Sequence, residues 1–119
     1  MVYKISQVAD LIGVSAHTLR YYDKEGLLPY VERNKAGVRK FKESDLNWLK
    51  IISCLKNTGM SLKQIKEYVD LGMIGDSTTL ERLDIMRKHK EIVLIRLQEI
   101  ENNLATINQK IMVYENRIK

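Results

Sequence analysis

Cysteine occurs once in this chain, at Cys54, and proline once, at Pro29. A single thiol rules out a disulfide within the chain and a metal cluster made only of thiolates from one subunit. The two histidines, His17 and His89, stand far apart, and neither has ligand spacing to the other or to Cys54. No metal site is expected, and nothing implies a cofactor. No apolar run approaches the ~18 residues that a membrane span requires. No charged-then-apolar leader with a small-residue cleavage site opens the chain, so an unsecreted, cytoplasmic protein is expected. Enzyme chemistry has no foothold either, because no nucleophile-base pair, phosphate loop or metal-ligand spacing can be named.

What is present is a well-stocked core and an uneven charge. Hydrophobic residues make up 45% of the 119 positions, which excludes a disordered chain. That length holds one compact domain, or a small domain plus one extended element. The net charge is +5, and from Arg33 to Lys42 the basic residues Arg33, Lys35, Arg39, Lys40 and Lys42 are joined by no acid. Such a run is either a solvated loop or a phosphate contact, and the neighbouring motif decides between them.

That motif spans Ser15 to Gly26. Ser15 is suited to cap a helix, Gly26 to stop one, and between them lie His17, Thr18, Arg20, Tyr21 and Tyr22. Upstream, Ile5, Val8, Leu11 and Ile12 fall on one helical face, and Gly13-Val14 supplies a turn short enough to join two helices steeply. The pattern is a helix-turn-helix, with Ser15, His17, Thr18, Arg20, Tyr21 and Tyr22 as candidate DNA contacts.

Downstream, Tyr30–Arg33 and Val38–Phe41 alternate apolar and charged residues around Asn34-Lys35-Ala36-Gly37, the pattern of a two-stranded wing. Its candidate phosphate contacts are Arg33, Lys35, Arg39 and Lys40. Ser44 is placed to cap a third helix whose apolar side gathers Trp48, Leu49, Ile51, Ile52 and Leu55. Ser61 and Gln64 form a capping box for a fourth, with Leu62, Ile65 and Val69 facing inward. Gly72 and Gly75 then mark a connector over residues 72–77 between a head at 1–71 and a tail at 78–119.

The tail contains no glycine or proline, and Thr78 with Glu81 repeats the capping-box pattern. Leu83, Met86, Lys90, Val93, Leu97, Ile100, Leu104, Ile107, Ile111, Tyr114 and Ile118 follow an unbroken three-four spacing in which only Lys90 is polar. A seam of this kind, kept for about five heptads, is a coiled coil. No other long helix in the chain could fill it, so a homodimer is expected. The fold class is therefore mainly α: a winged helix-turn-helix head with a small β-hairpin wing and a long C-terminal dimerisation helix.

These residues resemble the MerR family of bacterial transcription regulators. The resemblance runs from Tyr3 to about Asp70, through Ile5-x-x-Val8-Ala9, Thr18-Leu19-Arg20-Tyr21-Tyr22-Asp23-x-x-Gly26-Leu27-Leu28, Gly37-x-Arg39-x-Phe41 and Gly59-x-Ser61-Leu62-x-x-Ile65. It implies that Thr18 and Arg20 approach the major groove and its phosphates, that Tyr21 and Tyr22 brace the backbone, and that Arg39 holds phosphate from the wing. Lys56 matches a lysine that touches the backbone near the operator centre. Val38 and Phe41 stand where the family's wing usually carries tyrosines. The family mechanism implies a dimer on an inverted repeat of double-stranded DNA. There it bends and untwists an over-long promoter spacer for RNA polymerase, with the two tails paired antiparallel.

The resemblance also narrows the signal. Nothing after the seam corresponds to the ligand domain of multidrug-responsive members, and no cysteines stand near the tail's end as in metal-responsive ones. Cys54 remains, with Lys50 one turn before it, where an ammonium favours the nucleophilic thiolate. The stretch Cys54-Leu55-Lys56-Asn57-x-Gly59 is similar to the aldehyde- and electrophile-responsive subgroup (AdhR and NmlR types). That likeness implies modification of Cys54 by formaldehyde, methylglyoxal or a related electrophile. The alternatives are a small ligand at the dimer interface and an effector-free DNA-bending protein. Every DNA-binding version predicts that affinity for duplex DNA falls steeply with salt, as counterion release requires. A titration between low and physiological salt checks this, and a flat response would remove the wing from the interface.

Overall fold

The computed structural model describes residues 1–119. Contacts divide the chain into Met1–Arg82 and Leu83–Lys119. The first unit contains β1 (Val2–Tyr3), α1 (Ile5–Ile12), α2 (Ala16–Lys24), β2 (Glu32–Arg33), β3 (Arg39–Lys42), α3 (Glu43–Asn57) and α4 (Leu62–Ile74). A turn of 3-10 helix at Asp76–Thr78 leads into α5 (Thr79–Arg117), most of which forms the second unit. No helix is long and apolar enough to cross a membrane.

The core of the first unit draws on every helix in it. Val8 of α1, Leu19 of α2, Leu49 and Ile52 of α3, and Ile65 and Val69 of α4 are fully buried, together with Leu27 and Phe41. Burying Phe41 is worth about 1.5–3 kcal/mol and fixes the inner strand of the wing to the helices. Gly13 takes φ +80 and so turns the chain tightly between α1 and α2. Val8 is buried as expected, but Leu11, expected on the same inner face of α1, is 60% exposed, and Ala9 is buried in its stead.

The expected hairpin forms between β2 and β3, and β1 adds a third strand to it, giving an antiparallel sheet in the order β1-β3-β2. Val2 pairs with Lys42 and Tyr3 with Phe41, so the chain's first residues cover the inner edge of β3. The Tyr3 hydroxyl donates to the Glu43 carboxylate, tying this strand to the start of α3.

Three helix boundaries differ from the sequence expectation. β3 runs directly into α3, which starts at Glu43 with Lys42 as its N-cap, so Ser44 has no capping role. The buried Asp45 caps instead, its Oδ2 accepting from the Lys42 amide at 2.8 Å. At the other end, α4 passes through Gly72 to Ile74, and the break falls at Gly75 rather than across residues 72–77. Thr78 does not cap α5: it is buried, and its hydroxyl donates to the carbonyls of Leu71 and Gly75 at 2.7 and 2.8 Å.

Gly72 stays helical because of what it faces. Trp48 is half-buried on the side of α3, stacked on Tyr30 with centroids 5.8 Å apart and edge-on to Tyr68 at 5.8 Å. A Cβ at Gly72 would lie 2.1 Å from the far edge of the Trp48 ring. The glycine is therefore a close-approach residue between α3 and α4, and its cost in helix propensity, about 1 kcal/mol, is offset by that packing. Ile51, expected beside Trp48 in the core, is exposed, and Leu46 takes its place in the buried stripe. Gly72→Ala should lower stability by about 1–3 kcal/mol, the usual cost of overpacking, although alanine is the better helix former. Urea unfolding measures it; a more stable variant would show that Trp48 can yield.

Candidate nucleic-acid interface

α2 presents one polar face. Its N-cap is Ser15, whose Oγ accepts from the Thr18 amide at 3.0 Å and lies 2.9 Å from the Thr18 hydroxyl. His17, Arg20, Tyr21 and Lys24 are exposed, a spacing of three, one and three that places them on a single helical face. Leu19 and Tyr22 are buried on the opposite face.

The burial of Tyr22 corrects the expectation that it braces the DNA backbone alongside Tyr21. At 6% exposure its ring is part of the core, and burial pushes its phenol above the usual tyrosine range. It still supports the interface, since its ring centroid lies 6.4 Å from that of the exposed Tyr21. Lys24 was missed by the sequence reading, although it stands four residues after Arg20 and seven after His17. Thr18 is half-buried, with its hydroxyl beside the Ser15 cap.

The wing reaches this helix through one carboxylate. Asp23 Oδ2 accepts from Arg33 Nη2 at 2.5 Å and from Arg39 Nε at 2.6 Å. Arg33 and Arg39 are also direct cross-strand partners on β2 and β3. Like charges placed opposite one another destabilise a ladder, and Asp23 supplies the counter-charge. The wing turn is closed by Asn34, whose Oδ1 accepts from the amides of Ala36 and Val38 at 2.9 and 3.0 Å. This local Asx geometry leaves Lys35 and Lys40 exposed on the outside of the wing. Phe41 lies in the core and is absent from the outer wing surface, which Val38 shares with the basic residues.

The remaining candidates lie on α3. Lys56 is exposed in the last turn, where a cation complements the helix dipole. Cys54 is exposed, and so is Lys50 four residues before it. The Cys54 carbonyl accepts from the Thr58 hydroxyl at 2.7 Å, so the backbone at the end of this helix is well tied.

Residues 3–71 match the family model described as MerR HTH family regulatory protein. The chain belongs to the MerR family of DNA-binding transcription regulators. An HTH-type transcriptional regulator of Haemophilus influenzae is 44% identical over 115 residues, 97% of this chain and 85% of its own length. AdhR of Bacillus subtilis is 39% identical over 87 residues, 73% of this chain and 62% of its own. Among solved structures, HiNmlR, described as a MerR family regulator lacking the sensor domain and bound to promoter DNA, superposes with a TM-score of 0.89. Its identity is 44%, over 98% of this chain and 92% of that one. These likenesses place the chain with the AdhR- and NmlR-type MerR regulators.

α5 carries the other interface candidates of this MerR chain. Leu83, Leu97, Ile100, Leu104, Ile107, Ile111 and Tyr114 are exposed in the single chain, while Met86 and Val93 are half-buried. The Tyr114 ring has Lys110 Nζ at 5.2 Å and the Arg117 guanidinium at 5.5 Å. Ile92, Leu94, Ile95, Met112 and Val113 are exposed outside the seam and were not anticipated.

Because Ser15 both caps α2 and fixes the Thr18 hydroxyl, Ser15→Ala should cost about 1 kcal/mol of stability. Thermal melts of the two proteins measure the loss; an unchanged midpoint would mean that water replaces the cap.

Proposed function

We propose that this MerR regulator acts as a homodimer on an inverted-repeat operator and distorts an over-long promoter spacer until RNA polymerase can use it. In this reading Ser15, His17, Thr18, Arg20 and Tyr21, joined by Lys24, face one major groove. Arg33, Lys35, Arg39 and Lys40 hold phosphates from the wing, and Lys56 touches the backbone nearer the operator centre. The exposed α5 seam of one copy pairs with that of the other. The head (1–71) reads DNA, the tail (78–119) joins two heads, and the residues between connect them. The observation that carries the reading is the single exposed polar face of α2 beside a basic wing. The 0.89 TM-score to a regulator described as bound to promoter DNA supports it.

The proposed trigger is Cys54. Its sulfur adds as thiolate to an aldehyde carbon, a C–S bond forms, and water protonates the carbonyl oxygen, leaving a hemithioacetal; no oxidant is consumed. Two observations support this site: the thiol is exposed, and the chain falls among AdhR- and NmlR-type relatives. Cys54 lies on α3, whose inner side carries Leu49, Ile52 and Leu55 of the core, so an adduct there bears on the helix that supports the wing.

A second reading is favoured by an open groove of about 310 Å³ lined by Ser44, Asn47, Trp48, Ile51, Tyr68 and Arg82. Its aromatic walls and single guanidinium suit a small planar ligand. One variant separates the two. Cys54→Ser should bind a duplex enriched from a random pool as the native chain does, yet should not activate transcription on adding methylglyoxal. Full induction of Cys54→Ser would end the thiol reading and leave the groove.

A further inference from the structure

Arg39 is held unlike any other cation of the interface. Its side chain is 21% exposed and its Nε donates to Asp23 Oδ2 at 2.6 Å, while that carboxylate is itself 17% exposed. This is its only polar partner within the chain, so Nη1 and Nη2 stay open. Arg33 is held differently: its Nη2 is on Asp23 and its Nη1 lies 3.5 Å from the Gly37 carbonyl, with the side chain 50% exposed. Asp23 thus fixes one arginine by its inner nitrogen and the other by its outer edge.

We propose that Asp23 is a positioning residue for DNA binding. It orients the Arg39 guanidinium through Nε so that the paired Nη1 and Nη2 edge is presented, already ordered, to one backbone phosphate. This rests on the reading above that the wing arginines meet phosphate. A guanidinium is a rigid planar fork, so a bond at Nε sets the plane of the remaining two donors. A bidentate arginine–phosphate contact needs that plane, and a side chain ordered before binding does not spend its rotamer entropy at the moment of contact. The arrangement also explains why an acid stands on the helix that approaches DNA. Asp23 is half-buried behind the two arginines, so its charge is turned toward them. The counter-charge belongs to the ladder pair Arg33–Arg39, and it couples the position of the wing to that of α2.

The test is a double-mutant cycle on the full chain, using a labelled duplex enriched by the wild-type protein from a random-sequence pool. Asp23→Asn should weaken binding roughly three- to tenfold, the scale of leaving one rotamer-rich side chain to be ordered on contact. Arg39→Gln should weaken it at least as much. In the Arg39→Gln background the Asp23→Asn change should then cost less than twofold, because the group it positions has gone. A purely structural role would instead make the two losses add, and that result would overturn the inference. So would an Asp23→Asn variant within twofold of wild type. If Arg39→Gln alone leaves affinity intact, the reading of the wing arginines as phosphate contacts fails first, and this inference fails with it. Arg39→Lys keeps the charge and leaves Asp23 in place, and so remains informative if Asp23→Asn does not fold. It should bind three- to tenfold more weakly, since an ammonium has neither Nε nor a fork. Wild-type affinity for Arg39→Lys would show that a point charge suffices and would overturn the proposal.

Discussion

One carboxylate, Asp23, joins the wing of this regulator to its DNA-facing helix α2. Arg33 and Arg39 face each other across β2 and β3, where two guanidinium groups repel, and the Asp23 carboxylate bonds both through one oxygen. Because Asp23 lies in the last turns of α2, neutralising the pair also fixes the wing against the helix. A wing of two- and four-residue strands is too short to hold an angle by backbone pairing alone. The carboxylate and the buried Phe41 ring hold it on the same face, since Arg39 and Phe41 are two apart on β3, one by charge and one by packing.

The same economy runs through the rest of the head. α1 and α2 are only eight and nine residues long, below the length at which helices persist alone in water, so their order comes from caps and from the shared core. Ser15 and Gly13 set the turn between them, while α3 and α4 provide the surface on which they rest. Gly72 lets the Trp48 ring approach the α4 backbone, and Tyr30 and Tyr68 hold that ring from two other sides. Burial, with the Asp45 and Asp23 carboxylates nearby, pushes the Tyr30 phenol above its ordinary range.

Features with a local signature were legible in the sequence, and features made by distant contacts were not. The Ser15 cap, the Ser61–Gln64 capping box, the Asn34 turn and the unbroken α5 helix each depend on residues within a few positions of one another. β1 escaped notice because two residues show no periodicity; its existence depends on β3, some forty residues away. Gly72 was read by its intrinsic propensity, which a tertiary contact with Trp48 overrides. Ser44 looked like a cap only because the strand was expected to end earlier, whereas β3 enters α3 without a break. At the candidate interface, His17, Arg20 and Tyr21 lie on the exposed face of α2 as expected, whereas Lys24 was missed, Thr18 is half-buried and Tyr22 turns inward. The Asp23 cluster joins residues ten and sixteen positions apart and has no signature at all.

The physics of α5 bears on why such a small head should serve a regulator. From Thr79 to Arg117 the helix has neither glycine nor proline, and at ~1.5 Å per residue it spans about 58 Å. A seam that exposes leucine and isoleucine over this length is unstable in water without a covering surface, and in the proposed dimer a second seam covers it. In the proposed complex each head makes only a handful of phosphate contacts, which gives one head alone a modest and salt-sensitive affinity. Joining two heads through a stiff element makes the second contact intramolecular, and affinity rises without new contacts when the spacing matches the half-sites. A stiff joint also does what a flexible linker cannot. If the spacing of the heads and of the half-sites disagree, the mismatch falls on whichever partner is softer. Bending a site of 20–30 base pairs by 40–90° costs of order 1–6 kcal/mol by elastic estimates. In the proposed mechanism that deformation of the DNA is the output, and an adduct on Cys54 would act on it through α3, the helix that carries the thiol.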